Sequence, residues 1–415
     1  MVLIMGVFLM RRLFFFLIIL AQFYLRGLFS EELDQKMSTM EDPYVLDLST
    51  SEPLEYEDPA SSDTYSGKSW DDHWGEGGSK KDRSFINTGF SIFPIYKKVD
   101  YGTSAGGLDL TYYFRRHSEH PMSVPCYIRT SLMAGQNQYV SLKFAFNNYW
   151  DNEKHNIYTS ISYGRRFATY YQLYSNAPST LGTYLAADTK WNIIYRKKIF
   201  WDIYLGAKYE VEHNDMSGRV PLNVFENGAV PGLNGSTASG IGVIFGNLPH
   251  EDVFSPRSKF AFEFSNMFYL EALGSTTDFG KHILDLREYL ALFKGHTLAL
   301  QLYMKFLSGT PTYRQLSSLG DIFQAYFHDR YLDDHVMGFR GEYRVKLVDV
   351  FYLTTFLGIG YHSKYISKFS IKDYYPSYGA GSRFLLNKEL NIYARLDYFA
   401  GRGTNGLMFG IGDEF

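Results

Sequence analysis

The chain closes on NGLMFGIGDEF, residues 405–415. Leu407, Phe409, Ile411 and Phe415 fall on one face at period 2, and Gly406, Met408, Gly410, Gly412 and Glu414 on the other, which is the alternation of a β-strand. Only Asp413 interrupts the apolar face. Termini normally fray unless something ties them down, so so apolar an ending implies a docked last strand. The second face is small or polar. A strand of this kind turns its apolar side outward and its glycines toward something tight or wet, as in a membrane barrel. Leu407, Phe409, Ile411 and Phe415 then form an assembly signal, with the Phe415 ring in an aromatic girdle.

The same inversion recurs upstream. In GFRGEYRVKL, residues 338–347, Arg340, Glu342, Arg344 and Lys346 share one face and Phe339, Tyr343, Val345 and Leu347 the other. Four charges on one face cannot look at lipid. NIYARLDYF, residues 391–399, sets Arg395 and Asp397 against Ile392, Leu396 and Tyr398. Segments of this type run from 103–115 to 404–415, with 154–163 and 166–175 read as two strands joined by GRR at Gly164–Arg166. About sixteen result, an even number as single-chain bacterial barrels require. The sequence therefore predicts an all-β fold, a transmembrane antiparallel β-barrel. Connections alternate between short ones, such as GRR and the KK of Lys197–Lys198, and long ones at 212–234 and 309–335. That asymmetry places the long loops on the cell exterior.

Composition agrees and excludes other classes. The 44 acidic and 41 basic residues leave no electrostatic case for nucleic acid as a partner. A load of 35 Tyr and 34 Phe beside 13 Pro, at mean hydropathy -0.22, excludes a multi-helix membrane protein and fits strands with every second residue in lipid. Composition alone fits a Tyr-rich soluble β protein equally well; the outward apolar faces separate the two. Residues 1–30 read as a secretory signal peptide: Arg11 and Arg12, an apolar run from Leu13 to Leu25 broken by Gln22, then Gly27 and Ser30. The run is short of the roughly 20 residues of a spanning helix. Residues 31–85 are acidic, rich in Ser, Gly and Pro, and aperiodic, and read as a disordered periplasmic tail. Residues 86–415 are the barrel.

Chemistry-bearing motifs are missing. The histidines show no metal-ligand spacing, and His117 and His120 lie in the loop-like RRHSEHP. GSTASG and AGGLDL lack the strand-to-helix context of a nucleophile elbow, and GRGTNG lacks the Lys-Ser/Thr of a phosphate loop. Cys126, the single cysteine, excludes an intramolecular disulfide and reads as a packing residue. No enzyme activity, cofactor or metal is expected.

ARLDYFAGRGTNGLMFGIGDEF at the end of the chain, Arg330, Tyr331 and Asp333, the EYR of Glu342–Arg344, DLREYLAL and SGTPTYRQLSSLG together resemble the BamA/TamA superfamily of outer-membrane assembly factors, the bacterial surface antigens, in its single-domain form without POTRA modules. ARLDYFAGRGTNGLMFGIGDEF is similar to the family's LRLDYG followed by a strand ending IGEAF. Arg330, Tyr331 and Asp333, followed by Glu342, Tyr343 and Arg344, resemble its RYRD and EYR segments, and DLREYLAL and SGTPTYRQLSSLG, which ends on Gly320, its approach to the sixth outer loop. The resemblance runs from about Ser91 to Phe415. It implies insertion or translocation of protein, or lipid, at the bacterial outer membrane, with outer-membrane lipids, the barrel-assembly machinery and a client polypeptide as partners. It also implies a weakly paired seam between first and last strands. Two departures stand out: no room for a POTRA module, and Gln324, Ala325 and Tyr326 where the family's loop carries Arg-Gly-Phe or Arg-Gly-Tyr. Gln cannot replace a bidentate guanidinium. The expectation is that the sixth loop still folds inward and that Arg330 and Asp333 supply partners to Glu342 and Arg344. The alternative function is a passive porin or solute channel whose selectivity is set by Arg340, Arg344, Arg395 and Asp397. Gly406, Gly410 and Gly412 fit either a weakened seam or the close approach of an inward loop.

Overall fold

A computed structural model of the chain describes residues 88–100, 103–114, 126–226, 230–247, 259–326, 328–369, 373–387 and 392–411. The signal peptide, the acidic tail and Phe415 lie outside the described residues. The strands are β1 (Thr88–Asp100), β2 (Thr103–Phe114), β3 (Cys126–Gly135), β4 (Val140–Trp150), β5 (His155–Tyr171), β6 (Thr180–Phe200), β7 (Ile203–Val220), β8 (Ser236–Gly246), β9 (Lys259–Tyr269), β10 (Phe279–Phe293), β11 (His296–Gly309), β12 (Ser317–Ser318), β13 (Leu332–Asp333), β14 (His335–Val348), β15 (Phe351–Ser363), β16 (Tyr375–Asn387), β17 (Ile392–Gly401) and β18 (Thr404–Ile411). All except β12 and β13 form a closed antiparallel barrel in chain order, with β14 beside β11 and β18 returning to β1. Closure satisfies the backbone groups that an open sheet would leave facing lipid. Among the described residues no helix is long and apolar enough to cross a membrane.

The outward and inward faces follow the alternation. Phe339, Leu396, Tyr398, Leu407 and Phe409 point outward and are exposed, whereas Glu342, Arg344, Arg395, Asp397 and Met408 are buried inside. The strand count of sixteen survives through two compensating errors. Gly164–Arg166 is not a turn: β5 runs straight through it, pairing Gly164 with both Ser141 and Asp188, so one strand had been divided into two. A glycine and two arginines resemble turn chemistry, but here the arginine at 166 faces the lumen. The strand missed by sequence is β1, whose outward Phe90, Ile92 and Tyr96 are interrupted by Pro94, a residue tolerated beside a sheet edge. Lys197 and Lys198 also lie within a strand; the turn is at Trp201–Asp202, with Trp201 at φ 44.

Connections at one end, the turn end, include the tight 201–202, 294–295 and 349–350. Those at the loop end include 172–179, 221–235, 270–278 and 310–334. The last is the sixth connection at that end. Gly410 stands opposite Arg395 in register and leaves room for its buried guanidinium, since a Cβ there would stand 3.3 Å from Arg395 Nε.

Candidate functional site: the sixth loop in the lumen

Residues 310–334 fold as a compact unit inside the barrel. β12 pairs with β13, joining Ser317 to Asp333 and Ser318 to Leu332. Ser318 caps the 3-10 turn Leu319–Asp321: its hydroxyl accepts from Gly320 N–H, while Asp321 accepts from Ser318 N–H at 3.2 Å. Gly320 is required by crowding, since a Cβ would stand 2.7 Å from His328 Cα. Leu316, Leu319, Phe323 and Tyr326 are buried.

The wall is hollowed to receive this loop. A Cβ on Gly358 would lie 2.4 Å from the Phe323 ring, on Gly360 2.6 Å from it, and on Gly338 2.8 Å from Ile322. Phe323 is thus seated where β14 and β15 lack side chains, and burial of one such ring contributes about 2 kcal/mol. Tyr326 reaches the last strands: its ring fills the space over Gly401, its hydroxyl donates to the Pro376 carbonyl, and the hydroxyl oxygen accepts from Arg402 N–H at 3.1 Å. Its cluster includes Phe399 and Met408, so the loop packs on both strands of the final hairpin.

The partners differ from those expected. Arg330 stacks over the Tyr331 ring at 5.5 Å, Tyr331 packs on Tyr375, and Asp333 accepts from His362 Nδ1 at 2.9 Å. Glu342 is met from the wall itself, by Arg344 Nε at 2.6 Å and Arg383 at 4.0 Å. Wall arginines thus take the acid that Arg330 was expected to neutralise, and Asp333 is occupied by His362. Gln324 lines a small cavity with Arg340, Phe356, Ser377 and Phe399, and its buried Oε1 has no hydrogen-bond partner among the described residues.

The guanidinium that fastens the loop is Arg314. Its Nη1 donates to Asp329 at 2.6 Å and its Nη2 to Asp188 of β6 at 2.7 Å, while Arg166 of β5 donates to Asp188 at 2.8 Å and lies 3.4 Å from Asp329. Two arginines and two aspartates alternate, one of each from loop and wall, with every side chain largely buried. Alternation of this kind compensates the desolvation of four charges. A second fastening joins Lys305 of β11 to Asp321 at 2.9 Å and to the Leu316 carbonyl at 3.2 Å, with His328 Nδ1 2.9 Å from Asp321. Burial opposes ionisation of Asp321, yet the adjacent Lys305 and His328 hold its carboxyl well below the usual carboxylate range. Arg314 sits in the aperiodic TPTYRQL, where no period marks it; the sequence signal for it is the inward parity of Asp188 with Lys190 on one strand, which leaves a lumen carboxylate needing a cation.

Among the described residues, closure between β1 and β18 is brief: only Tyr96 with Phe409 and Lys97 with Met408 pair in register, whereas the next shortest barrel ladder, β8 with β9, registers seven pairs from Gly240–Tyr269 to Gly246–Glu263.

No protein-family model matches the sequence, and no curated protein matches it. Solved structures do share its fold. BamA from Haemophilus ducreyi lacking POTRA domains 1-3 superposes with a TM-score of 0.51 over 79% of this chain and 70% of that one, at 9% identity. CdiB from Acinetobacter baumannii gives 0.52 over 79% of this chain and 60% of that one, also at 9% identity. This chain has the BamA-type barrel fold. In this BamA-type barrel the sixth loop lies inside the lumen, and the guanidinium that anchors it to β5 and β6 is Arg314.

Proposed function

We propose that this barrel inserts or translocates polypeptide at the bacterial outer membrane, with the outer-membrane lipids as its solvent, the barrel-assembly machinery as the route by which it is itself installed, and an unfolded client as its substrate. The observation that carries the reading is the seam between β1 and β18, which among the described residues has two pairs in register. At a net 0.5–1.5 kcal/mol or so per hydrogen bond, separating the described pairs there costs far less than separating a ladder of seven pairs. Separation would expose two strand edges able to template an incoming strand. The proposal assigns no catalytic step to the chain. A passive channel fits less well, because the sixth loop is packed into wall glycines and held by buried ion pairs, an expensive way to build an open pore.

The test is reconstitution of the full chain into liposomes and measurement of the rate at which an unfolded outer-membrane barrel acquires heat-modifiable mobility in them. Acceleration over empty liposomes is expected. A steady, large conductance in planar bilayers, with no acceleration of client folding, would replace this reading by the porin.

A further inference from the structure

Among the described residues, two clusters on the lumen wall bring together more cationic than anionic side chains. On β6, β7 and β10, Lys190, Lys208 and Lys281 converge on Glu210 at 3.7, 2.8 and 2.6 Å, and Lys190 lies 3.7 Å from Glu212: three ammonium groups to two carboxylates. Tyr269 also donates to Glu210 at 2.6 Å, so that carboxylate is crowded with donors. On β14, β16 and β17, Arg344, Arg383 and Arg395 face Glu342 and Asp397, again three to two. Arg395 is 1% exposed, and its Nε and Nη1 have no hydrogen-bond acceptor among the described residues. The Arg129–Asp109 pair and the Arg166, Asp188, Arg314 and Asp329 set are balanced by contrast.

Solvent reaches this interior, since the Lys190 side chain is 38% exposed. Excess charge of one sign on low-dielectric walls focuses its field into the space between them. In the strand order the two clusters occupy different stretches of the wall, β6 to β10 and β14 to β17, with β11 between them. A small anion can engage one of them; an extended chain with spaced carboxylates can engage both. We propose that the lumen beneath the sixth loop is a basic basin that receives carboxylate-rich polypeptide segments. The inference rests on the insertion and translocation reading and gives it a substrate class, a client segment rich in Asp and Glu.

The experiment uses the full chain in planar bilayers, carrying Arg314→Ala to raise the frequency of opening. In a KCl gradient, chloride should be preferred over potassium by about threefold, and oligoglutamate added at the turn end should block at concentrations about tenfold lower than oligolysine, with the difference shrinking as salt rises. Lys190→Gln and Arg395→Gln should each reduce both preferences; where Arg395→Gln gives too little folded barrel, Lys190→Gln carries the test. Cation selectivity, or equal block by the two peptides, overturns the basin. Anion selectivity without preferential block by oligoglutamate overturns the polypeptide assignment in favour of small anions. A barrel that accelerates client folding yet shows no peptide preference refutes the basin and leaves the insertion reading standing.

Discussion

Arg314→Ala removes a guanidinium that ties the loop's Asp329 to the wall's Asp188, and its cost follows from the geometry. Both contacts are short, 2.6 and 2.7 Å, and the arginine side chain is 6% exposed. Breaking a buried pair from one side costs about 3–5 kcal/mol, but Arg166 remains beside both carboxylates and Asp188 is partly wetted, which reduces the expected loss to about 2–3 kcal/mol. With a factor of ten for each 1.4 kcal/mol or so, the population with the loop out of the lumen should rise roughly thirty- to a hundredfold. Wild-type barrels in planar bilayers should show small, flickering conductance, and the variant openings more frequent by about that factor. Arg314→Lys keeps the charge but not the fork, and should fall between the two. Arg166→Ala should behave like Arg314→Ala, and the double variant should show less than the sum of the two effects, because the four groups act as one network. A well-folded, heat-modifiable Arg314→Ala barrel whose open probability stays within about twofold of wild type would refute the lock, since a loss below ~0.5 kcal/mol is what an exposed pair gives.

Three further outcomes follow from the same geometry. Tyr326→Phe deletes the hydroxyl that bonds Pro376 and Arg402 and should lower stability to urea by about 1–2 kcal/mol, whereas Tyr326→Ala also empties the space over Gly401 and should cost about 3–5 kcal/mol; equal midpoints for the two would contradict the packing. Asp321 has a folded-state pKa below its unfolded value, so its contribution is present above the ordinary carboxylate pKa and is lost only as pH falls through the depressed value; the difference in loop protease protection between wild type and Asp321→Asn should therefore be constant from pH 7 to about 4. Phe415→Asp should leave unfolded protein in the periplasm, measured by cell fractionation and heat modifiability, and normal yields in the outer membrane would reduce that ring to ordinary packing.

Legibility in the sequence tracked periodicity. β14 and β17 were readable because charge and apolar faces alternate without interruption, and the outward Phe339 and inward Glu342 stand where the pattern puts them. β1 was not, because Pro94 and the closely spaced Lys97, Lys98 and Asp100 break the period while the neighbouring ladder with β2 still forms. The break assigned at Gly164–Arg166 came from local turn chemistry overruled by pairing on both sides. In the loop, sequence marked the right segment and its inward path, but not the pairings. Which acid a loop arginine meets depends on how the β12–β13 hairpin turns within the lumen, and residues such as Arg314 and Asp188, 126 positions apart, carry no local signal of their contact.

Tyr96 and Phe409 stand directly opposite across the seam, both outward. Their replacement by cysteine, in a Cys126→Ser background, allows that seam to be closed by oxidation and reopened by reduction within one preparation. The decisive quantity is the rate of client-barrel folding into liposomes containing this double-cysteine protein, compared before and after reduction. Seam-dependent insertion requires acceleration in the reduced state, loss of it on oxidation and recovery with reductant; identical rates in both states, with the cross-link shown to be complete, would contradict it.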